Sequence, residues 1–228
     1  MAIIASQHVD CSDGIRAAST FLVIYGVPRS ASSLTWQIFS DICGKRGVVR
    51  THKLLDISPM IPVVLTVRDW RDCVVSCWRS QNANRLGNAM QVEEICQYTA
   101  IYQEYIWNLS QWQALCPKAP LLLYEDTIRD PGRLFKIGEQ LGLPEITPSR
   151  KTEILAAHST TVNRAVSDNQ IAPDRQTLLQ PQHLHEAESG TWKKFVDSEG
   201  AKLITQLLLP ALQRYGYEPK PEPPKAAA

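Results

Sequence analysis

The sequence predicts an α/β fold: a single three-layer αβα domain with a central parallel sheet and a P-loop-like phosphate-binding loop. Three observations point there. Short apolar runs recur without polar alternation, as strands covered on both faces require. Helical patterns separate these runs, which implies right-handed βαβ crossovers. A serine-rich turn carrying one arginine joins the first run to the first helical pattern. Such strand–turn–helix junctions are where open parallel sheets gather anionic ligands.

The first strand is read at Phe21-Leu22-Val23-Ile24-Tyr25. Leu34, Ile38 and Ile42 then recur at helical spacing, and Gly44 stands where a C-cap belongs. Val48-Val49-Arg50-Thr51 is a second strand and Val63-Val64-Leu65-Thr66-Val67 a third. Asp72 to Arg79 reads as the helix that follows. The longest helix covers residues 92–115, with an apolar stripe of Ile95, Tyr98, Tyr102, Ile106, Leu109 and Trp112. Leu121-Leu122-Leu123-Tyr124 is the fourth strand. Asp130-Pro131 opens another helix, with Asp as cap and Pro in the first turn, and Leu141-Gly142-Leu143-Pro144 ends it. Residues 158–190 are polar and weakly periodic and read as a long loop or lid. A last helix covers residues 198–215, with a kink expected at Pro210. The domain is placed at 1–217, and the Pro-rich tail 218–228 is expected to be disordered.

The chain has 228 residues, 44% of them hydrophobic and 21% charged, which supports one full core. A net charge of +1 argues against a broad nucleic-acid-binding face. No membrane span is read. The six cysteines (Cys11, Cys43, Cys73, Cys77, Cys96 and Cys116) contain no Cys-x-x-Cys pair and complete no zinc set. Buried, reduced thiols and a cytoplasmic location are expected.

The segment Gly26-Val27-Pro28-Arg29-Ser30-Ala31-Ser32-Ser33 carries the chemistry. Backbone N–H groups and a helix N-terminus form an anion site in this context. Ser30, Ser32 and Ser33 add hydroxyls, and Arg29 adds a fixed charge with a forked donor set. Gly26 and Ser33 match the ends of a Walker A loop, but Ala31 stands for its second glycine and Ser32 for its lysine. A small-molecule kinase with a degenerate loop is therefore a rival reading that lacks its key lysine. The bland alternative is a polar turn capping a helix.

This stretch resembles the 5′-phosphosulfate-binding loop of sulfotransferases, Pro-Lys/Arg-Ser-Gly-Thr/Ser-Thr/Ser. Ala31 departs from it where the family has glycine. Ala costs energy there if the backbone needs a positive φ. Further on, Arg68-Asp69-Trp70-Arg71-Asp72-Cys73-Val74-Val75-Ser76 resembles the family's 3′-phosphate motif, which implies that Arg68 and Ser76 hold that phosphate. Without the resemblance these charges read as a surface ion-pair cluster worth little. Tyr124-Glu125-Asp126 followed by Asp130-Pro131 resembles another family segment and implies that Tyr124 lies near the adenine. A core tyrosine with a satisfied hydroxyl is the alternative. Gly190-Thr191-Trp192-Lys193 is similar to the family's Gly-x-Trp-Lys/Arg segment. The Arg-Lys-Gly clamp expected just upstream is replaced by His185, Glu186 and Ala187. Arg175, His183 and Lys193 are the candidates to replace it.

The resemblance implies an enzyme that uses 3′-phosphoadenylyl sulfate (PAPS) as co-substrate, releases PAP and needs no metal. Arg29 is then the group that stabilises the leaving 5′-phosphate. Arg50-Thr51-His52 looks like the family's Lys-Thr-His segment, which implies that His52 is the general base; an imidazole suits that role. Lys53 follows as an assisting charge, and His158 is read as a lid or surface histidine. The expected acceptor is a small molecule or sugar bearing a hydroxyl or amine. A non-catalytic PAP-binding protein is the other rival. Oligomeric state is not legible in the sequence.

Overall fold

The computed structural model describes residues 21–44, 47–58, 60–82, 89–169, 179 and 188–218. It has two compact units. The first comprises residues 1–68 and 104–188, and the second residues 69–103 and 189–228.

The first unit holds the sheet. Strands β1 (Leu22–Gly26), β2 (Val48–Thr51), β3 (Val63–Val67) and β4 (Leu121–Leu123) lie in the order β2-β1-β3-β4. Every pair is parallel, with Leu22 opposite Val48, Val23 opposite Val63 and Leu65 opposite Leu121. β1 and β3 are buried along their whole length, as their unbroken apolar runs require. Leu22, Ile24, Val64 and Leu122 face one way. They pack on Ile38, Phe39 and Ile42 of α1 (Ser32–Ile42), on Leu134 and Phe135 of α5 (Arg133–Gln140), and on Ile154 of α6 (Pro148–Ala157). The alternate residue Tyr25 faces the other way and meets Trp112 at 6.0 Å between ring centroids. Trp112 lies in the second half of α3 (Val92–Leu115). β2 and β3 flank β1 on opposite sides. The connections therefore diverge beside β1, and its carboxyl end opens on a topological switch point.

The second unit contains α2 (Trp70–Gln81), the first half of α3, a 3₁₀ turn (Thr191–Lys194) and α8 (Ser198–Arg214). Asp69 caps α2 by accepting from the Arg71 N–H at 2.9 Å. Tyr102 donates its hydroxyl to the Cys73 carbonyl at 3.0 Å, and Trp70 packs on Tyr215 at 6.0 Å. α8 runs through Pro210 without ending there.

Four sequence expectations change. Tyr124 does not end β4; it opens α4 (Tyr124–Arg129). Asp130 is the C-cap of α4, and α5 begins three residues later with Gly132 at its N-cap position. Part of the expected lid is helical, as α7 (Thr160–Asp168); residues 170–178 and 180–187 and the tail 219–228 lie outside the described residues. Of the described cysteines, Cys73 and Cys77 are buried, Cys43 and Cys116 half-buried, and Cys96 is exposed rather than buried. Burial pushes the Cys43 and Cys116 thiols up, and no disulfide forms among the described residues. No helix among them is long and apolar enough to cross a membrane.

Candidate phosphate-binding and base site

The loop leaves β1 at Gly26 and enters α1 at Ser32. A β-carbon on Gly26 would lie 2.2 Å from the Ser32 Cβ and 2.6 Å from the Thr66 Oγ1. Glycine is therefore required here by close approach and not by an unusual φ. Arg29 and Ala31 both adopt positive φ, 73° and 64°. Ala31 is the N-cap of α1 and supplies no side-chain bond to its first turn. The N–H groups of that turn are the donors an anion meets at a helix N-terminus. The alternating backbone around Arg29 and Ala31 curves like the nests that bind phosphates.

Ser30 sits between these two residues and is fully buried. Its hydroxyl donates to the Val27 carbonyl at 2.6 Å and contacts the Thr66 Oγ1 at 2.6 Å. Ser32 and Ser33 lie in the first turn of α1. The Arg50 guanidinium reaches from β2 to the Ser33 Oγ at 3.0 Å, bringing a second arginine to the loop.

A short turn at the end of β2 aims His52. The Lys53 N–H donates to the Thr51 Oγ1 at 3.0 Å, and the Trp112 Nε1–H holds the Lys53 carbonyl at 3.3 Å. The bend turns the His52 ring onto the loop, where Nδ1 bonds to the Gly26 carbonyl. A carbonyl only accepts, so Nδ1 carries the proton. The neutral ring then has its lone pair on Nε2. Tyr105 of α3 stands edge-on to this ring, with centroids 6.3 Å apart.

Arg68 ends the first segment of the first unit, just beyond β3. It is buried, donates to the Arg29 carbonyl at 3.4 Å and to the Glu188 carbonyl at 2.8 Å, and lies 4.0 Å over the Tyr124 ring. The first unit thus gathers Arg29, Ser30, Ala31, Ser32, Ser33, His52, Arg68 and Tyr124. Ser76 belongs to the second unit, half-buried on α2.

The charges around Arg68 are not a surface cluster. Asp69, Arg71 and Asp72 are all buried. Asp72 accepts from the Gly190 N–H at 2.7 Å, the Trp192 N–H at 2.9 Å and the Thr191 hydroxyl at 3.2 Å, which fastens the 3₁₀ turn. Arg71 pairs with Asp69 at 2.7 Å and with Glu218, and lies 4.6 Å over the Trp192 ring. Burial lowers the Arg71 guanidinium, but Asp69 and Glu218 more than offset it, so it is raised overall. His158 is no surface histidine: half-buried, its Nε2 meets the Asp41 carboxylate at 3.0 Å. Of the residues considered to replace the missing clamp, Lys193 is exposed on the 3₁₀ turn. Arg175, His183, His185, Glu186 and Ala187 lie outside the described residues.

Sequence reasoning missed Arg50, Thr66 and Tyr105. Arg50 reads only as part of the Arg-Thr-His segment and Thr66 only as a strand position, while Tyr105, three residues from Tyr102 on the apolar face of α3, reads as one more core residue. The αL geometry of Ala31 decides a question the sequence left open. An L-residue there costs about 1–2 kcal/mol, part of which glycine gives back through its larger unfolded-state entropy. Ala31→Gly is therefore expected to stabilise the protein by about 0.5–1 kcal/mol, read as a rise of about 1–4 °C in Tm.

Residues 45–216 match the family model described as sulfotransferase domain. The match includes Arg50–His52, Arg68–Ser76 and Tyr124 and begins after the phosphate loop. A search of curated proteins found no match. Among solved structures, retinol dehydratase in complex with androsterone and inactive cofactor PAP is similar at 12% identity. That likeness covers 84% of this chain and 80% of the other, with a TM-score of 0.62. Mouse sulfotransferase SULT7A1 complexed with PAP is similar at 14% identity, over 87% of this chain and 86% of the other, with a TM-score of 0.60. Retinol dehydratase in a complex with retinol and PAP is similar at 14% identity, over 89% and 83%, with a TM-score of 0.61.

Proposed function

The chain belongs to the sulfotransferase family, and from that premise we propose that it moves a sulfuryl group from PAPS to an acceptor hydroxyl or amine, with His52 as general base and no metal ion. One observation carries the assignment of the base: the His52 Nδ1 is bonded to the carbonyl of Gly26, the first residue of the phosphate loop. That contact orients the imidazole beside the anion site with Nε2 as its proton acceptor.

The residues divide the work as follows. The loop N–H groups, Ser32 and Ser33 receive the 5′-phosphate, and Ser30 braces the loop from within. Arg29 neutralises charge on the leaving phosphate, as in-line transfer demands. Arg50, beside Ser33, adds a second positive charge at the same end. Arg68 and Ser76 hold the 3′-phosphate, and Tyr124 backs Arg68 and borders the adenine. PAPS supplies the activated sulfuryl group. His52 takes the acceptor proton as the new S–O or S–N bond forms and the bond to the 5′-phosphate breaks, which leaves PAP.

Structures of similar fold hold small molecules, androsterone in one and retinol in another, which supports a small-molecule or sugar acceptor. A cytoplasmic location, where thiols stay reduced, is part of the proposal; no disulfide forms among the described residues.

Calorimetric titration with adenosine 3′,5′-bisphosphate, against AMP and ATP, tests the nucleotide assignment. Tight binding of the bisphosphate and weak binding of AMP are expected. Arg68→Ala should lose about 1.5–3 kcal/mol of that binding through its charge-assisted hydrogen bonds. Preference for ATP with Mg²⁺, or no nucleotide binding, overturns the proposal. Tight binding with no transfer to any acceptor favours the non-catalytic reading.

A further inference from the structure

We infer that Thr66 is a positioning residue for the 5′-phosphate, acting through Ser30 to hold the phosphate loop in its strained, anion-ready shape. The inference rests on the reading of that loop given above. Thr66 lies in β3, almost fully buried, and belongs to none of the family-like motifs.

The loop carries two non-glycine residues at positive φ, Arg29 and Ala31, with Ser30 between them. Each is disfavoured by contact of its Cβ with the following carbonyl oxygen. Such conformations persist only where the surroundings over-determine them. Here the surroundings are specific. The Ser30 side chain is fully buried and fixed on two sides, by the Val27 carbonyl within the loop and by the Thr66 hydroxyl on the neighbouring strand. The Val27 bond is local and moves with the loop. The Thr66 contact ties the loop to the sheet and fixes where its N–H groups point.

Loss of the Thr66 hydroxyl should let Arg29 or Ala31 relax to negative φ and turn donors away from the phosphate. A glycine at position 31 takes positive φ without strain, so it should need the tie much less. Thr66→Val and Ala31→Gly are therefore coupled, although neither side chain is offered as a ligand. A purely structural role for Thr66 predicts no such coupling and no dependence on which phosphate the ligand carries.

The test compares adenosine 3′,5′-bisphosphate with adenosine 3′-monophosphate, which lacks the phosphate the loop receives. Thr66→Val should weaken bisphosphate binding about tenfold, the worth of one buried hydrogen bond, and leave 3′-monophosphate binding unchanged. Ser30→Ala, which cuts the same tie from the loop side, should reproduce this loss. Thr66→Ser, which keeps the hydroxyl, should bind as wild type. Adding Ala31→Gly to Thr66→Val should recover most of the lost affinity. Unchanged bisphosphate binding in Thr66→Val, an equal loss for both ligands, or no recovery by Ala31→Gly overturns the inference while the nucleotide assignment stands. Failure of the wild type to bind either ligand overturns both.

Discussion

His52→Ala is expected to lower the turnover of sulfuryl transfer by about 10²- to 10⁴-fold, the usual worth of a positioned general base. The affinity for PAP should change far less, because the ring is assigned to the acceptor proton and not to a phosphate. Alanine also deletes the bond from Nδ1 to the Gly26 carbonyl and so risks loosening the loop. His52→Asn separates the two effects. Its side-chain NH₂ falls near the position of Nδ1 and can still donate to Gly26, but nothing replaces Nε2. If His52 is the base, the two variants lose turnover alike. If His52 only braces the loop, Asn restores turnover and PAP affinity together. Single-turnover transfer to a reactive phenol, with PAP titration alongside, reads both quantities.

The positions of His52 and of the serine-rich loop were legible in the sequence because each sits where a strand stops, and strand ends are marked by the loss of the apolar run. β3 was read without error, since five apolar-compatible residues between a proline and an arginine leave no other choice. What the sequence hid was polar. α7 has few apolar residues, and the positions it buries are the polar Asn163 and Ser167. It is started by the Ser159 hydroxyl, which caps it, and anchored by a buried amide pair in which Asn163 Nδ2–H donates to Gln37 Oε1 at 2.9 Å. A hydrophobic pattern does not report such a bond. Arg50 and Thr66 were hidden for a related reason. Each occupies a strand, where alternation assigns a face but not a partner, and the contacts to Ser33 and Ser30 join residues 17 and 36 positions apart. Asp130-Pro131 misled in the opposite sense. It has the chemistry of a helix start, but the preceding turn of helix from Tyr124 uses Asp130 as its end.

Gly26→Ala should strongly destabilise the protein, since no other characterised glycine among the described residues would bring a new Cβ into so close a contact. The new Cβ would meet the Ser32 Cβ at 2.2 Å, the Thr66 Oγ1 at 2.6 Å and the Ser32 Oγ at 2.8 Å. The first of these is anchored in a helical first turn and the second in a buried strand, so neither withdraws by rotating about a flexible end. The backbone must move, and overpacking of this kind costs about 3 kcal/mol or more. For a chain of this length that corresponds to a fall of about 6–12 °C in Tm. The displaced atoms are those that shape the loop: Ser32 begins α1, Thr66 holds Ser30, and the Gly26 carbonyl holds His52. PAP affinity should therefore fall more than the loss of stability alone implies, by about 100-fold or more in the protein that remains folded, since a poorly aimed set of charge-assisted donors forfeits several bonds together. The same one-methyl change run backwards at Ala31, five residues on, should stabilise. Opposite signs at the two positions separate the two demands a phosphate loop makes on its backbone, close approach at Gly26 and positive φ at Ala31. Melting curves and PAP titrations of the two variants decide it, and a Gly26→Ala protein with wild-type Tm and affinity would show that the loop does not take this shape.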